Sequence, residues 1–259
     1  MNKKKFKINN SRVNVYFLFL KRELSELESY FKIMKFHNKE NFDNLLGKFL
    51  YFQESEIKND KIIEISNHLE SALNLCSNIL EQEEINIFIF QTKDKFISSK
   101  MDGSSGFCTN KNCISILLNL NVFTENSLKN TLAHELAHAI NQYYDMGNMS
   151  VGDGIVYEGL AENFREEIID KTKSKIVSNV KEEEVNILFN KIKNLLGSKK
   201  FSDYYEVFFG TGKYPLWMGY SIGYYLIKKY ISKNKNYTWK ELLRKNPNEI
   251  LGEIVNYVI

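Results

Sequence analysis

The chain has 259 residues, of which 43% are hydrophobic and 26% charged, and its net charge is +3. This apolar content is too high for a disordered chain, and the length suits one large domain or two lobes. The nearly balanced charge does not favour a nucleic-acid binder, which needs a strongly basic face. With only 13 glycines and 2 prolines, collagen-like and proline-rich classes are excluded and helices are favoured.

The cysteines and the early apolar residues bear on the cellular compartment. Cys76, Cys108 and Cys113 are an odd number in a long chain, so we expect reduced thiols rather than a disulfide framework. The apolar run 15–20 is shorter than the roughly 20 residues of a membrane span and shorter than a signal-peptide core. We therefore expect a cytoplasmic protein without a membrane span, and a frayed basic N-terminus at 3–5.

In chain order, the first half is predicted to combine helices with a small sheet. Residues 13–20 are β-branched and aromatic, which is typical of a strand. Apolar residues at helical spacing follow from 21 to about 81. Two further strands are predicted at 85–90 and 114–120, with a loop rich in Gly, Ser and Asn at 101–112 between them.

The second half is predicted to be almost entirely helical. Thr124 is a suitable N-cap for a long helix over 126–144, and a loop follows at 147–154. The later helices are predicted at 155–170, 181–196, 216–231 and 239–259, with a break near Pro247. The predicted fold class is therefore α+β and mostly helical, with a small N-terminal mixed sheet, as two lobes, 1–145 and 146–259, of one catalytic unit.

Two histidines four residues apart on the predicted helix 126–144 indicate a metal site. His134 and His138 lie on the same face of the helix, so both imidazoles can reach one zinc ion. Glu135 lies about 100° around the helix, where it can hold the water that zinc polarises and accept its proton. We expect one zinc ion per chain, with Glu135 as the general base.

A catalytic zinc ion usually takes three protein ligands, and no histidine follows His138. Glu158 and Glu162 lie four apart on the next predicted helix, beside its apolar stripe. Glu158 is predicted as the third ligand, and Glu162 as the acceptor of an N–H from a ligand imidazole. Gly159 costs the helix about 1 kcal/mol relative to Ala. We expect it to allow close approach to the helix of His134.

The segments 134–138 and 158–162 together resemble a gluzincin metallopeptidase. The later segments 208–210 and 215–224 are similar to a motif of the YjaZ-like bacterial family of predicted Zn-dependent proteases. The resemblance covers residues from about 85 to 259. It implies a zincin-like fold and hydrolysis of peptide bonds in a peptide or protein substrate.

The resemblance also implies a tyrosine that stabilises the oxyanion of the tetrahedral intermediate. Related peptidases often carry such a donor on a later helix, at about this distance past the glutamate ligand. Tyr220, between Gly219 and Gly223, is the candidate, and Tyr224 is the alternative one turn along. Zincins also commonly hold a peptide as an added strand on a sheet edge, for which 114–120 or the segment Gly106-Phe107 is the candidate.

Two other functions remain open at this point. Peptide deformylases, another class of zinc amidohydrolase, also carry two histidines four apart and take a cysteine as third ligand. Cys113 is the nearest cysteine, but its surroundings lack the deformylase pattern. The second alternative is a catalytically idle zinc protein that binds peptides. Against it, His134, Glu135, His138 and Glu158 are all present.

Overall fold

The computed structural model describes residues 3–18, 59–81, 83–210 and 212–258. Within these residues the strands form one mixed sheet, in the order β1-β2-β3-β5-β4. They are β1 Lys3–Ile8, β2 Ser11–Phe17, β3 Glu84–Gln91, β4 Ser104–Asn110 and β5 Cys113–Leu118. Strands β2, β3 and β5 are parallel, β1 runs antiparallel to β2, and β4 runs antiparallel to β5. The strands predicted at 13–20, 85–90 and 114–120 correspond to β2, β3 and β5.

The basic N-terminus forms an edge strand, so the prediction of a frayed end was wrong. β1 pairs with β2 through a tight turn at Asn9, whose φ of 53° lies in the left-handed region. Lys4, Lys5 and Lys7 are exposed along β1. Lysines are common on edge strands because their charge discourages pairing with further chains. A lysine-rich segment can therefore be a strand.

The predicted loop 101–112 was also wrong, because it contains β4. The strand joins β5 through a turn at Lys111-Asn112, where Asn112 has a φ of 64°. The Ser, Gly and Asn residues of this segment are unusual in strands, and they concealed β4 in the sequence. The sheet therefore ends on a strand of small and polar residues.

The described residues form nine α-helices. They are α1 Asn59–Leu75, α2 Lys95–Lys100, α3 Glu125–Ala139, α4 Val151–Arg165, α5 Val185–Ile192, α6 Phe201–Phe209, α7 Met218–Lys233, α8 Trp239–Leu242 and α9 Pro247–Val258. The chain divides into two compact units, Met1–Ile140 and Asn141–Ile259. The first holds the sheet with α1 to α3. The second holds α4 to α9 and, in its described residues, no strand.

The predicted α+β layout, a small mixed sheet followed by helices, is thus confirmed. Helix α1 confirms part of the helical stretch predicted from 21 to 81, and residues 21–58 of that prediction lie outside the described residues. The short helices α2 and α6 were not predicted. None of the helices in the described ranges is long and apolar enough to cross a lipid bilayer.

Two helix boundaries differ from the predictions. Helix α3 ends at Ala139, short of the predicted 144, and Tyr143 beyond its end has 46% of its surface exposed. Helix α4 begins at Val151, inside the predicted loop. There the Ser150 hydroxyl accepts the N–H of Asp153, and the Asp153 carboxylate accepts the N–H of Ser150. This capping box stabilises the first turn.

Candidate metal centre

Helix α3 begins and packs as its sequence predicts. The side chain of Thr124 accepts the N–H of Ser127 at 3.0 Å, and the Ser127 hydroxyl accepts the N–H of Thr124 at 2.9 Å. The predicted N-cap is therefore confirmed. Leu128, Leu132 and Leu136 are fully buried along one face of the helix. This packing fixes the helix and presents its other faces in a defined orientation.

The two histidines of α3 each place one ring nitrogen close to the other. The Nε2 atoms of His134 and His138 lie 3.1 Å apart, and their rings meet edge to face with centroids 4.8 Å apart. His138 is buried, with 3% of its surface exposed, and His134 is partly exposed. The two rings therefore share one face of α3 but differ in their exposure to solvent.

A carboxylate joins these two nitrogens. Among the described residues, His134, His138 and Glu158 form a group in which one ligand atom from each lies within 4.8 Å of the others. Glu158 belongs to α4 and has only 5% of its surface exposed. These are the three residues that the sequence predicted as ligands, and their role as ligands stays a prediction.

The chemistry of these donors fits zinc. Two imidazole nitrogens and one carboxylate oxygen are a common ligand set of catalytic zinc ions, which leave a fourth position open. Ligand nitrogens at about 2.0–2.1 Å from one tetrahedral ion lie about 3.4 Å from each other. The measured separation of 3.1 Å between the Nε2 atoms is close to that value. Hard cations such as Mg²⁺ fit less well, because they prefer sites made of oxygen atoms alone.

Glu135 lies beside this group without belonging to it. It is buried, with 5% of its surface exposed, and its side chain lies against strand β4 at Gly106. A Cβ atom built on Gly106 would lie 2.5 Å from Cγ of Glu135. The proposed general base therefore occupies space that a side chain at position 106 would otherwise fill.

Glu162 lies one helical turn beyond Glu158 in a network of buried polar groups. Its Oε2 atom accepts hydrogen bonds from Nε of Arg165 at 3.0 Å and from the hydroxyl of Ser174 at 2.7 Å. The side chains of Glu162 and Arg165 are only 3% and 4% exposed. Arg165 also lies 3.7 Å from the carboxylate of Asp170. The predicted bond from a ligand imidazole to Glu162 stays a prediction.

The two candidate tyrosines differ in their surroundings. Tyr220 lies in the first turn of α7, is partly exposed, and packs edge to face on Phe208 with centroids 5.4 Å apart. Tyr224 is fully buried, and its hydroxyl donates to Glu166 at 2.7 Å and accepts from Lys228 at 2.7 Å. Burial, together with the bond to Glu166, raises the pKa of Tyr224 above its ordinary value. Its proton is therefore already committed to Glu166.

The glycines of α4 and α7 have a different role from the one predicted. A Cβ atom on Gly159 would overlap the backbone carbonyl of Gly223, and one on Gly223 would overlap the carbonyl of Ile155. Gly159 therefore allows close approach of α7, and the expectation that it serves the helix of His134 was wrong. Asn163 strengthens this crossing, because its amide donates to the carbonyl of Tyr224 at 2.9 Å.

Cys113, the alternative third ligand, lies at the start of β5 and is buried. The group in the described part of the chain that could hold a metal ion contains Glu158 and no cysteine. All three cysteines are free and buried. This arrangement favours the glutamate ligand over the cysteine of a deformylase-like site.

Three contacts of Glu135 and Glu162 were not predicted from the sequence. Arg165 follows Glu162 by three residues on one helix, so an ion pair between them could have been inferred from spacing. Ser174 reaches Glu162 only because the chain turns back after a π-helical turn at Glu166–Asp170. The contact of Gly106 with Glu135 depends on how a strand packs on a helix. Neither of the last two contacts leaves a signal in a single sequence.

Comparisons with known proteins agree with this donor set. The family model described as "Predicted Zn-dependent protease (DUF2268)" matches residues 65–252, which include α3, α4 and α7. A relative from Bacillus subtilis (strain 168), "Uncharacterized protein YjfC", is 26% identical over 209 residues, covering 73% of this chain and 70% of the relative. Because the family model spans well over half of the sequence, the chain belongs to the DUF2268 family of predicted Zn-dependent proteases.

Proposed function

We propose that the protein is a zinc metallopeptidase of the gluzincin type, which hydrolyses peptide bonds. The observation that carries this proposal is the group formed by His134, His138 and Glu158, whose ligand atoms lie within 4.8 Å of one another. These three residues would hold one zinc ion. A third ligand that is a glutamate from a second helix distinguishes this arrangement from a site with three histidines or a cysteine.

When bound, zinc supplies Lewis acidity, which lowers the pKa of a water molecule to about 7 and polarises a carbonyl oxygen. Glu135 is the general base. One oxygen of its carboxylate accepts a proton from the attacking water and later donates it to the amine nitrogen of the leaving group. A carbon–oxygen bond forms to the scissile carbonyl carbon and the carbon–nitrogen bond breaks. Burial of Glu135 keeps bulk water from competing for its carboxylate.

Tyr220 is proposed as the donor to the oxyanion. Its phenolic O–H would donate a hydrogen bond to the substrate oxygen as negative charge develops there. Tyr224 is less suited to this role, because its hydroxyl already donates to Glu166 at 2.7 Å. Glu162 is proposed to accept an imidazole N–H and so orient a ligand ring, while Arg165 and Ser174 fix its carboxylate.

The substrate is proposed to bind as an extended strand along β4. In the described sheet, β4 is the last strand and pairs with β5 on one side. Its other side can form main-chain hydrogen bonds with a peptide. β5 lies between β3 and β4, so the candidate substrate strand at 114–120 is excluded and the Gly106-Phe107 segment is retained.

The metal is tested first. The purified protein should contain about one zinc ion per chain by elemental mass spectrometry. His138→Ala should lose most of it, because two remaining ligands leave an incomplete site. His68→Ala is the matched control, since His68 lies on α1 and pairs with Glu64 and Glu125. Stoichiometric zinc in both His134→Ala and His138→Ala would overturn the ligand assignment.

Catalysis is tested separately, by mass-spectrometric profiling of cleavage in a peptide library. Glu135→Gln should keep zinc and lose nearly all hydrolysis, because it removes the base and no ligand. Tyr220→Phe should lower kcat by about 10²–10³-fold, the usual effect of losing one oxyanion donor. Tyr224→Phe is its control and should cleave peptides at nearly the wild-type rate.

Glu162→Gln should weaken zinc affinity or activity by about 10–100-fold, the usual effect of losing a residue that orients a metal ligand. Unchanged zinc affinity and turnover would remove Glu162 from the site. A wild-type protein that holds zinc but cleaves no peptide in the library would favour the idle, peptide-binding alternative.

A further inference from the structure

Strand β4 and helix α3 meet at two successive positions along one line. The hydroxyl of Ser104 donates to the hydroxyl of Thr131 at 2.9 Å. Two residues further along the strand and four further along the helix, Gly106 faces Glu135. Two residues of a strand span about 6.7 Å and four residues of a helix about 6 Å. The strand and the helix can therefore make contact at both positions.

The second position leaves no room for a side chain on the strand. A Cβ atom on Gly106 would lie 2.5 Å from Cγ of Glu135, and 2.9 Å from both Cδ and Oε1. Carbon atoms in contact normally stay about 3.5–4.0 Å apart. Any side chain at position 106 would therefore displace the side chain of Glu135 or the strand itself.

The neighbouring positions cannot take up this displacement easily. Leu132 and Leu136 anchor α3 with no exposed surface. On the other side, β4 is held by its ladder with β5, in which Gly106 is paired with Ile116. The side chain of Glu135 is thus the group that an added Cβ atom would displace first.

We propose that Gly106 is a positioning residue for Glu135: by lacking a side chain, it lets the edge strand seat the carboxylate of the general base. This inference rests on the proposed function, because it assigns Gly106 a part in the reaction through Glu135. It also has a purely structural consequence, which can be tested whether or not the protein cleaves peptides.

The structural consequence is tested by a double-mutant cycle on thermal unfolding. Gly106→Ala should lower Tm by about 2–4 °C or more in the wild-type background, because the added methyl group overlaps Glu135. In a Glu135→Ala background the same change should leave Tm unchanged or raise it, since the overlapping atoms are gone and alanine suits a strand better than glycine. In a Glu135→Gln background the wild-type loss should return, because the glutamine side chain has the same shape.

The catalytic consequence is measured on fluorescein-labelled casein with zinc-loaded protein. Gly106→Ala should lower kcat by about 10- to 100-fold, since misplacing a catalytic group by about 1 Å can cost about 10²-fold. KM should stay near its wild-type value, because a peptide on β4 would bind the main chain, which the substitution retains. Zinc affinity, measured by chelator competition, should not change either. Gly252→Ala is the matched control, because a Cβ atom there meets nothing within 4 Å. It should change neither kcat nor zinc affinity.

The outcomes separate this inference from the proposed function. Equal Tm shifts in the wild-type and Glu135→Ala backgrounds would overturn the inference even in an active enzyme. If the Tm shift of Gly106→Ala depends on Glu135 but its kcat equals that of the wild type, the inference is overturned too. The contact would then contribute to packing alone. A coupled cycle with an inactive wild-type protein would overturn the proposed function, and with it the catalytic role of Gly106.

Discussion

Helix α3 buries about half of its residues, whereas α4 buries every residue except Asp153. An amphipathic helix such as α3 needs one apolar face, and its polar residues can point away from the core. A helix buried on all sides, such as α4, must pair each of its charges inside the protein. In α4, Glu162 has such partners in Arg165 and Ser174, whereas three fully buried leucines hold one face of α3 in place.

The largest effect that would test this comparison is expected at Arg165. Arg165→Met keeps the length of the side chain but leaves the carboxylate of Glu162 without its buried cation. We expect the free energy of unfolding in urea to fall by about 3–5 kcal/mol. Arg12→Met is the control, since the Arg12–Glu84 pair is 75% and 56% exposed and should contribute less than about 1 kcal/mol. Equal losses in the two variants would contradict the view that α4 depends on its polar network.

A second test compares the apolar packing of the two helices. Leu132 of α3 and Leu160 of α4 are both buried, with 0% and 2% of their surfaces exposed. Truncation of either leucine to alanine should cost about 2–5 kcal/mol, measured by urea unfolding. Similar losses would locate the difference between the helices in their charges. A loss at Leu160 far below that at Leu132 would show that α4 is loosely packed despite its burial.

A third change tests the glycine crossing of α4 and α7. Gly159→Ala places a methyl group on the carbonyl of Gly223, so the helices must move apart. Overpacking of this kind typically costs about 1–3 kcal/mol. Gly252→Ala, in α9, should instead stabilise the protein by up to about 1 kcal/mol through helix propensity. A stabilising Gly159→Ala, as helix propensity alone would give, would contradict the close crossing.

The smallest expected effects concern the N-caps. Thr124→Ala and Ser150→Ala each remove a capping hydroxyl, at a cost of about 0.5–2 kcal/mol. We expect the larger loss at Ser150, because it is only 7% exposed and water therefore replaces its hydroxyl less easily. Thr124 is exposed, so water can replace its hydroxyl. Thermal unfolding of the two variants would check the order.

The sequence revealed most where local spacing carries the information. His134, Glu135 and His138 are set by one helical turn, and Thr124 was recognised as the N-cap from its position before an apolar repeat. Strands β3 and β5 were recognisable because they lie inside the sheet and are mostly apolar. Edge strands β1 and β4 were missed, because one side of each needs no apolar partner and tolerates Lys, Ser and Gly.

The remaining features depend on contacts between distant segments. The role of Gly159 was assigned to the wrong helix, because a single sequence does not say which helix passes closest to a glycine. Ser174 bonds to Glu162 across a π-helical turn that ends at Lys171 in the left-handed conformation, with a φ of 56°. No periodicity predicts such a turn. The start of α4 was predicted too late in the chain, because Gly152 and Gly154 suggested a loop. In the structure both glycines lie inside the helix, where neighbouring side chains leave little room for a Cβ atom.

The glycine crossing has a consequence for the exchange of amide hydrogens with solvent. Where α4 and α7 meet at Gly159 and Gly223, the two backbones leave no room for a Cβ atom, and therefore none for a water molecule. The amide hydrogens there can exchange with deuterium only when the helices separate. Their exchange rates would therefore report the opening of the whole Asn141–Ile259 unit, while those at exposed helix ends report local fraying.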